Sequence, residues 1–171
     1  VAIGTLPVLP VVSLIVAGAN YSLAATASGQ VYGWGENDLG QVGDGTLVQR
    51  TAPVALAALP NGVTMLAAGS DHSLALRSGA VYSWGRNSHG QLGRTPDNDA
   101  GTPVAVSALA SGVVQIAAGG RHSLALRGNG VLELWGDNFL GQLANRTGNF
   151  SLGSALLNIL RGDSIVSQLG A

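Results

Sequence analysis

Short apolar runs alternate with polar, glycine-rich gaps along the chain, and no stretch sustains a helical period. "HSLAL" at His72–Leu76 alternates and runs into the turn "RSG"; "VYSWG" at Val81–Gly85 then returns, which predicts a hairpin. A polar loop leads to "TPVAVSAL", whose proline suits a strand start or edge, where its missing N–H costs no ladder bond. An "SG" turn precedes a last strand, "VVQIAAG". A short turn around Ala57 and Ala58 is the one exception to an all-strand pattern.

The four-strand pattern recurs. "IVAGANYSLAATASGQVYGWGENDLGQVGDGT" from Ile15, "LAAGSDHSLALRSGAVYSWGRNSHGQLGRT" from Leu66 and "IAAGGRHSLALRGNGVLELWGDNFLGQLANRT" from Ile116 align by eye. Trp34, Trp84 and Trp135 are 50 and 51 residues apart; Asn37, Asn87 and Asn138 follow them by three, and Gln41, Gln91 and Gln142 by seven. Four antiparallel strands per repeat of about 50 residues is the arithmetic of a β-propeller blade, with a four-stranded solenoid layer as the competing architecture. The expected organisation is the second half of a preceding blade over 1–14, repeats over 15–65 and 66–115, and a divergent third repeat over 116–171 that ends at the start of a further one.

The pattern "AAGxxHSLAL…GxVYxWGxNxxGQLGxGT…PV" resembles the repeat of the regulator of chromosome condensation family over nearly the whole chain. That resemblance implies the blades of a seven-bladed propeller. Departures are Tyr21 for the His, Glu133 for the Tyr, Ala144 for the last Gly, and Ser154 in the slot of Pro53 and Pro103. Relatives implied by the resemblance include a GTPase exchange factor that docks on chromatin, ligase-associated propellers, an ultraviolet photoreceptor and a β-lactamase inhibitor, so fold does not fix function. No insertion of the kind the exchange factor uses is visible, and the photoreceptor's additional tryptophans are missing. Three units and an opening half-blade are too few for a propeller. The readings are a piece of a longer propeller, a ring completed by other chains, or a head-to-tail filament.

Composition narrows the partners. Of 171 residues only 10% are charged and the net charge is −1, which leaves no footprint for nucleic acid or an anionic membrane. Without Cys, disulfides and thiolate metal sites are excluded. Two prolines and the lack of preceding basic residues argue against the apolar N-terminal run as a signal peptide or membrane span. Val1 in place of Met leaves room for an upstream segment. The mean hydropathy of +0.32 suits a chain covered on several sides by neighbours.

Candidate chemistry is sparse. Asp71–His72–Ser73 contains triad residues, but successive strand side chains point to opposite faces, and the same slots hold Arg121–His122–Ser123 and Asn20–Tyr21–Ser22. His72 and His122 therefore read as hydrogen-bonded structural residues rather than metal ligands, alongside the recurring Trp, Asn and Gln. "PDNDAG" (96–101) reads as a polar surface loop rather than a calcium loop, and "GDGT" (43–46) lacks the following helix signal that a phosphate cradle needs. Asn145 and Asn149 are the favoured glycosylation sequons, with Asn20 behind them, and "RGD" at 161–163 is discounted. The residues that change between copies, Arg86, Ser88, His89, Asp137, Phe139 and Leu140, are the expected partner-facing positions. The reading is a non-enzymatic, cofactor-free scaffold that binds a protein partner or copies of itself. The alternatives are an extracellular, glycosylated head-to-tail fibre, which would place the chain outside the cell or at its surface, and a fragment of an exchange-factor-like propeller.

Overall fold

The computed structural model describes residues 10–96 and 98–144. They form three antiparallel sheets in which strands pair in chain order. The first holds β1 (Val12–Ala17), β2 (Tyr21–Thr26), β3 (Val31–Gly35) and β4 (Arg50–Ala55), and the second holds β5 (Val63–Ala68), β6 (His72–Arg77), β7 (Ala80–Gly85) and β8 (Ala100–Ala105). Among the described residues the third has three strands, β9 (Val113–Ala118), β10 (His122–Arg127) and β11 (Leu132–Gly136). The only helical segment described is a single 3-10 turn at Ser107–Leu109, one repeat on from the turn at Ala57 and Ala58. No described helix is long and apolar enough to cross a membrane.

The sheets are out of phase with the sequence units. The strand that closes each unit in sequence is the first strand of the next sheet, so β5 bonds to β6 and not to β4. Val12–Leu14, expected in a preceding half-blade, and Ile15–Ala17, expected to open the first repeat, accordingly form one strand, the first of the first sheet. Connection length is the cause. Between β5 and β6 lies a turn of three residues, closed by Gly69 N–H to the His72 carbonyl at 2.8 Å, which forces antiparallel pairing. Between β4 and β5 the chain runs from Leu56 to Gly62, and Val63 N–H bonds back to Gly29 in the preceding sheet's hairpin. That longer link crosses from one sheet to the next.

Pro53 and Pro103 sit on β4 and β8, the last strands of their sheets, beside irregularities in the ladder. Their missing N–H groups break no interior bond. Hydrophobic burial lies between sheets. Leu23, Val31, Val42 and Leu56 of the first unit close on Val63, Leu66, Ala75 and Trp84 of the second. Leu74, Leu76, Val81 and Val106 close in turn on Val113, Ile116, Ala125 and Trp135. The middle strand β6 is covered on both faces as a result, which is why "HSLAL" carries so few exposed positions.

Each Trp is followed by a glycine with no room for a side chain. Gly85 has φ +96°, and a Cβ there would lie 2.4 Å from the Asp71 carbonyl oxygen; Gly35 and Gly136 are matched. Backbone, not a yielding side chain, fills that space. Gly85→Ala is expected to lower stability by more than the ~1–2 kcal/mol that left-handed strain alone costs, read as a fall in the urea midpoint. An unchanged midpoint would contradict the packing.

Candidate functional site

Two groups of residues surround the tryptophans of β3, β7 and β11: those that tie one sheet to the next, and those on the loop surface. The first group makes a repeated seam. Trp84 Nε1 donates to the Gln41 carbonyl at 2.9 Å, and Trp135 Nε1 donates to the Gln91 carbonyl at 2.8 Å. Each carbonyl also lies within hydrogen-bond reach of a serine hydroxyl from the next sheet, Ser73 at 3.0 Å and Ser123 at 2.9 Å. His72 Nε2 stands 2.9 Å from Ser123 Oγ. Because the single Ser123 proton goes to the Gln91 carbonyl, His72 must donate Nε2–H, which makes it the Nε2–H tautomer.

In the first seam Tyr21 takes the place of His72. Its hydroxyl donates to the His72 carbonyl at 2.5 Å and accepts from Ser73 at 2.9 Å. Burial raises the Tyr21 pKa, partly offset by the Ser73 bond. Burial also pushes His72 down to about 4, with His122 adding to the effect, so the imidazole is neutral at pH 7. Its Nδ1 is buried with no hydrogen-bond partner among the described residues. His122 is half-buried and lowered by burial, against the pull of Asp137. His72 reaches forward to Ser123 while Ser73 reaches back to Gln41 and Tyr21, so Asp71, His72 and Ser73 assemble no triad. Among the described residues no group of His, Asp and Glu is arranged to hold a metal.

The recurring amides shape the loops. Asn37, Asn87 and Asn138 are fully buried, and each Oδ1 accepts the N–H five residues on, from Val42, Leu92 and Leu143 at 2.9–3.0 Å. Gln41, Gln91 and Gln142 accept the N–H two residues back, from Leu39, His89 and Leu140. In "GDGT", Asp44 is held by Thr46 and Arg50; burial alone would raise its pKa, but these bonds lower it. In "PDNDAG", Asp99 accepts the Asn87 N–H at 2.6 Å.

The varying positions divide. Phe139 and Leu140 are 76% and 85% exposed. Arg86, Ser88 and His89 form a chain on the surface: Arg86 pairs with Asp71 at 3.5 Å and donates to Ser88, whose hydroxyl is 2.9 Å from His89 Nδ1. Asp137 is buried instead of partner-facing, because its carboxylate accepts the Phe139 N–H at 2.9 Å and fixes the turn. Asn20 is exposed and donates to Glu36 at 3.0 Å. Asn145, Asn149 and the "RGD" segment lie outside the described residues. Sequence reasoning passed over the seam serines. Their signal was a hydroxyl at the same place in three apolar strands, Ser22, Ser73 and Ser123.

Comparison with known proteins agrees with the repeat. Two models of the "Regulator of chromosome condensation (RCC1) repeat" match the chain, one at 28–76 and 78–126, the other at 12–41, 63–91 and 113–142. The human E3 ubiquitin-protein ligase HERC2 is 45% identical over 62 residues, 36% of this chain and 1% of that protein. The yeast protein RCC1 (Prp20), solved bound to Kap60, superposes with a TM-score of 0.75 at 26% identity, over 90% of this chain and 38% of that one. Prp20p from Saccharomyces cerevisiae, in a structure reported with its binding to Gsp1p and histones, gives 0.62 at 32% identity over 73% and 33%. The chain thus spans about a third of these solved relatives and a small fraction of the curated one.

Two measurements check the seam. Trp84→Ala is expected to cost roughly 3–5 kcal/mol, and Trp34→Ala, which has no preceding sheet to bind among the described residues, about 1 kcal/mol or less. Equal losses in denaturant titrations would refute the assignment. The second concerns pH. His72 titrates near 4 in the folded chain against 6.5 unfolded, so above pH 6.5 it contributes no pH dependence. As pH falls from 6.5 to about 4, the unfolded chain gains a proton that the folded one resists, and stability drops by about 3 kcal/mol. His72→Gln should flatten that slope.

Proposed function

Because the chain belongs to the regulator of chromosome condensation repeat family, we propose that it is a non-enzymatic scaffold that binds a protein partner through the loops after the repeat tryptophans. The observation that carries this reading is the contrast within one loop: Asn138 and Asp137 are buried and hydrogen-bonded, while Phe139 and Leu140 between them and Gln142 stand 76% and 85% exposed. Large apolar side chains held out on a rigid turn suit a protein contact, since the backbone is already ordered before binding. Arg86, Ser88 and His89, linked to one another at the corresponding place on the second sheet, supply a polar counterpart. The solved relative Prp20 binds proteins, Kap60 in one structure and Gsp1p and histones as reported with another, which supports a protein partner here. The comparisons lend no support to an extracellular fibre.

The test places a photo-crosslinking amino acid at Phe139, and separately at Asn129, an exposed residue of the β10–β11 hairpin turn. Position 139 is expected to give a discrete protein adduct in extracts of the native cell, lost on Leu140→Asp, while position 129 gives none. No adduct from 139, or the same adducts from both positions, would overturn the reading. Phe139→Ser and Leu140→Ser should each change stability by no more than about 0.5 kcal/mol.

A further inference from the structure

The second sheet has a described neighbour on each side, so the groups its loop end leaves in solvent are left there by the stacked fold itself. At that end each sheet repeats one pair of slots joined through the backbone: Glu36, Arg86 and Asp137 donate their N–H groups to the carbonyls of Asn20, Asp71 and Arg121. Of the three side-chain pairs the first closes, Asn20 Nδ2 donating to Glu36 at 3.0 Å. In the second, Arg86 Nη1 stops 3.5 Å from Asp71, an ion pair with no hydrogen bond in it, and the two side chains are 36% and 24% exposed. In the third, Asp137 turns its carboxylate to the Phe139 N–H, and exposed Arg121 makes no ion pair or side-chain hydrogen bond among the described residues.

Arg86 is held ready. Its Nε donates to Ser88 Oγ at 2.9 Å, and Ser88 stands 2.9 Å from His89 Nδ1, so the guanidinium plane is fixed while its Nη edge makes no hydrogen bond among the described residues. A planar fork with its end unspent matches a carboxylate, which accepts both N–H groups at once. Arg121 is close at hand, because the Gly120 carbonyl accepts the Ser70 N–H at 3.0 Å and sets the turns that carry Arg121 and Asp71 side by side. Asp99 and Arg94 are engaged within the second loop, Asp99 accepting the Asn87 N–H and Arg94 donating to the Ser83 carbonyl and hydroxyl. Two arginines thus stand beside one loosely held carboxylate.

We propose that the protein partner docks an acidic segment here: one carboxylate takes the Nη edge of Arg86 and displaces Asp71, and a second acidic group is drawn by Arg121. Asp71 is an internal stand-in for the partner's carboxylate, and it weakens the contact for as long as it holds the place. This chemistry rests on the loop surface being a protein contact, as proposed above, and specifies what the partner presents to it. Phosphate is the rival anion, but a chain of net charge −1 with 10% charged residues has no basic field to gather a nucleic acid.

The test titrates the 171-residue chain into fluorescein-labelled decaglutamate and reads anisotropy. Wild type is expected to bind with a Kd of about 0.1 mM in low salt, and salt at about 0.5 M should abolish the binding. Arg86→Gln should weaken it about tenfold, and Arg121→Gln about threefold. Asp71→Asn should strengthen it about threefold, a gain that a damaged fold cannot imitate. No binding with the chain at about 1 mM overturns the proposal. So does unchanged affinity in Arg86→Gln, or unchanged or weaker affinity in Asp71→Asn. Equal, Arg86-dependent binding of a labelled oligothymidylate makes the site one for phosphate, and overturns it too. The Phe139 contact fails separately: no adduct from position 139, with decaglutamate still bound through Arg86, removes that contact and keeps the acidic one.

Discussion

A buried glutamine carbonyl has to find donors, and in this protein they come from the next sheet. The Gln41 and Gln91 carbonyls receive the Trp84 and Trp135 indoles across more than forty residues of sequence. An unpaired carbonyl in that position would carry the full cost of desolvation. Sheet-to-sheet stacking is therefore fixed in register by hydrogen bonds, and the apolar burial on either side gains its specificity from them. The same Gln side chains close the loops through Oε1, so one residue type serves both the seam and the turn that presents the surface positions.

This coupling separates two kinds of position. Trp, Asn, Gln and Ser spend their polar groups inside the fold, and substitution there is felt as stability. The side chains of Phe139 and Leu140 take no part in the core and stand in solvent. Asp137 shows that the boundary does not follow variability alone: it differs in every copy, yet it is buried by the turn that it holds. Arg86, at the same step of the second sheet, reaches out instead to Asp71. One slot therefore does different structural work in each repeat, and only its backbone role is constant: Glu36, Arg86 and Asp137 each donate an N–H to the carbonyl of residue 20, 71 or 121.

Much of this was legible in the sequence. The near-constant spacing of Trp34, Trp84 and Trp135 pointed to stacked four-stranded units, and the prolines at 53 and 103 pointed to a strand start or edge, and they lie on edge strands. The phase of the units was not legible. A strand pattern says that "VTMLAAG" is a strand, but its partner is decided by the three-residue turn after it and by the longer crossing before it. The seam serines escaped notice for a similar reason. Their partner is a main-chain carbonyl 32 residues away, which no side-chain pattern reveals.

By itself the sequence determined the repeat, its strand content, its family and the absence of thiol chemistry, because periodicity, turn residues and composition are local or additive properties. Only the tertiary structure decided which strands share a sheet, that His72 is neutral and donates through Nε2, and that Asp137 is inside. Those depend on what lies across a gap between sheets, and hydrogen-bond partners there are set by stacking geometry rather than by neighbours in the chain.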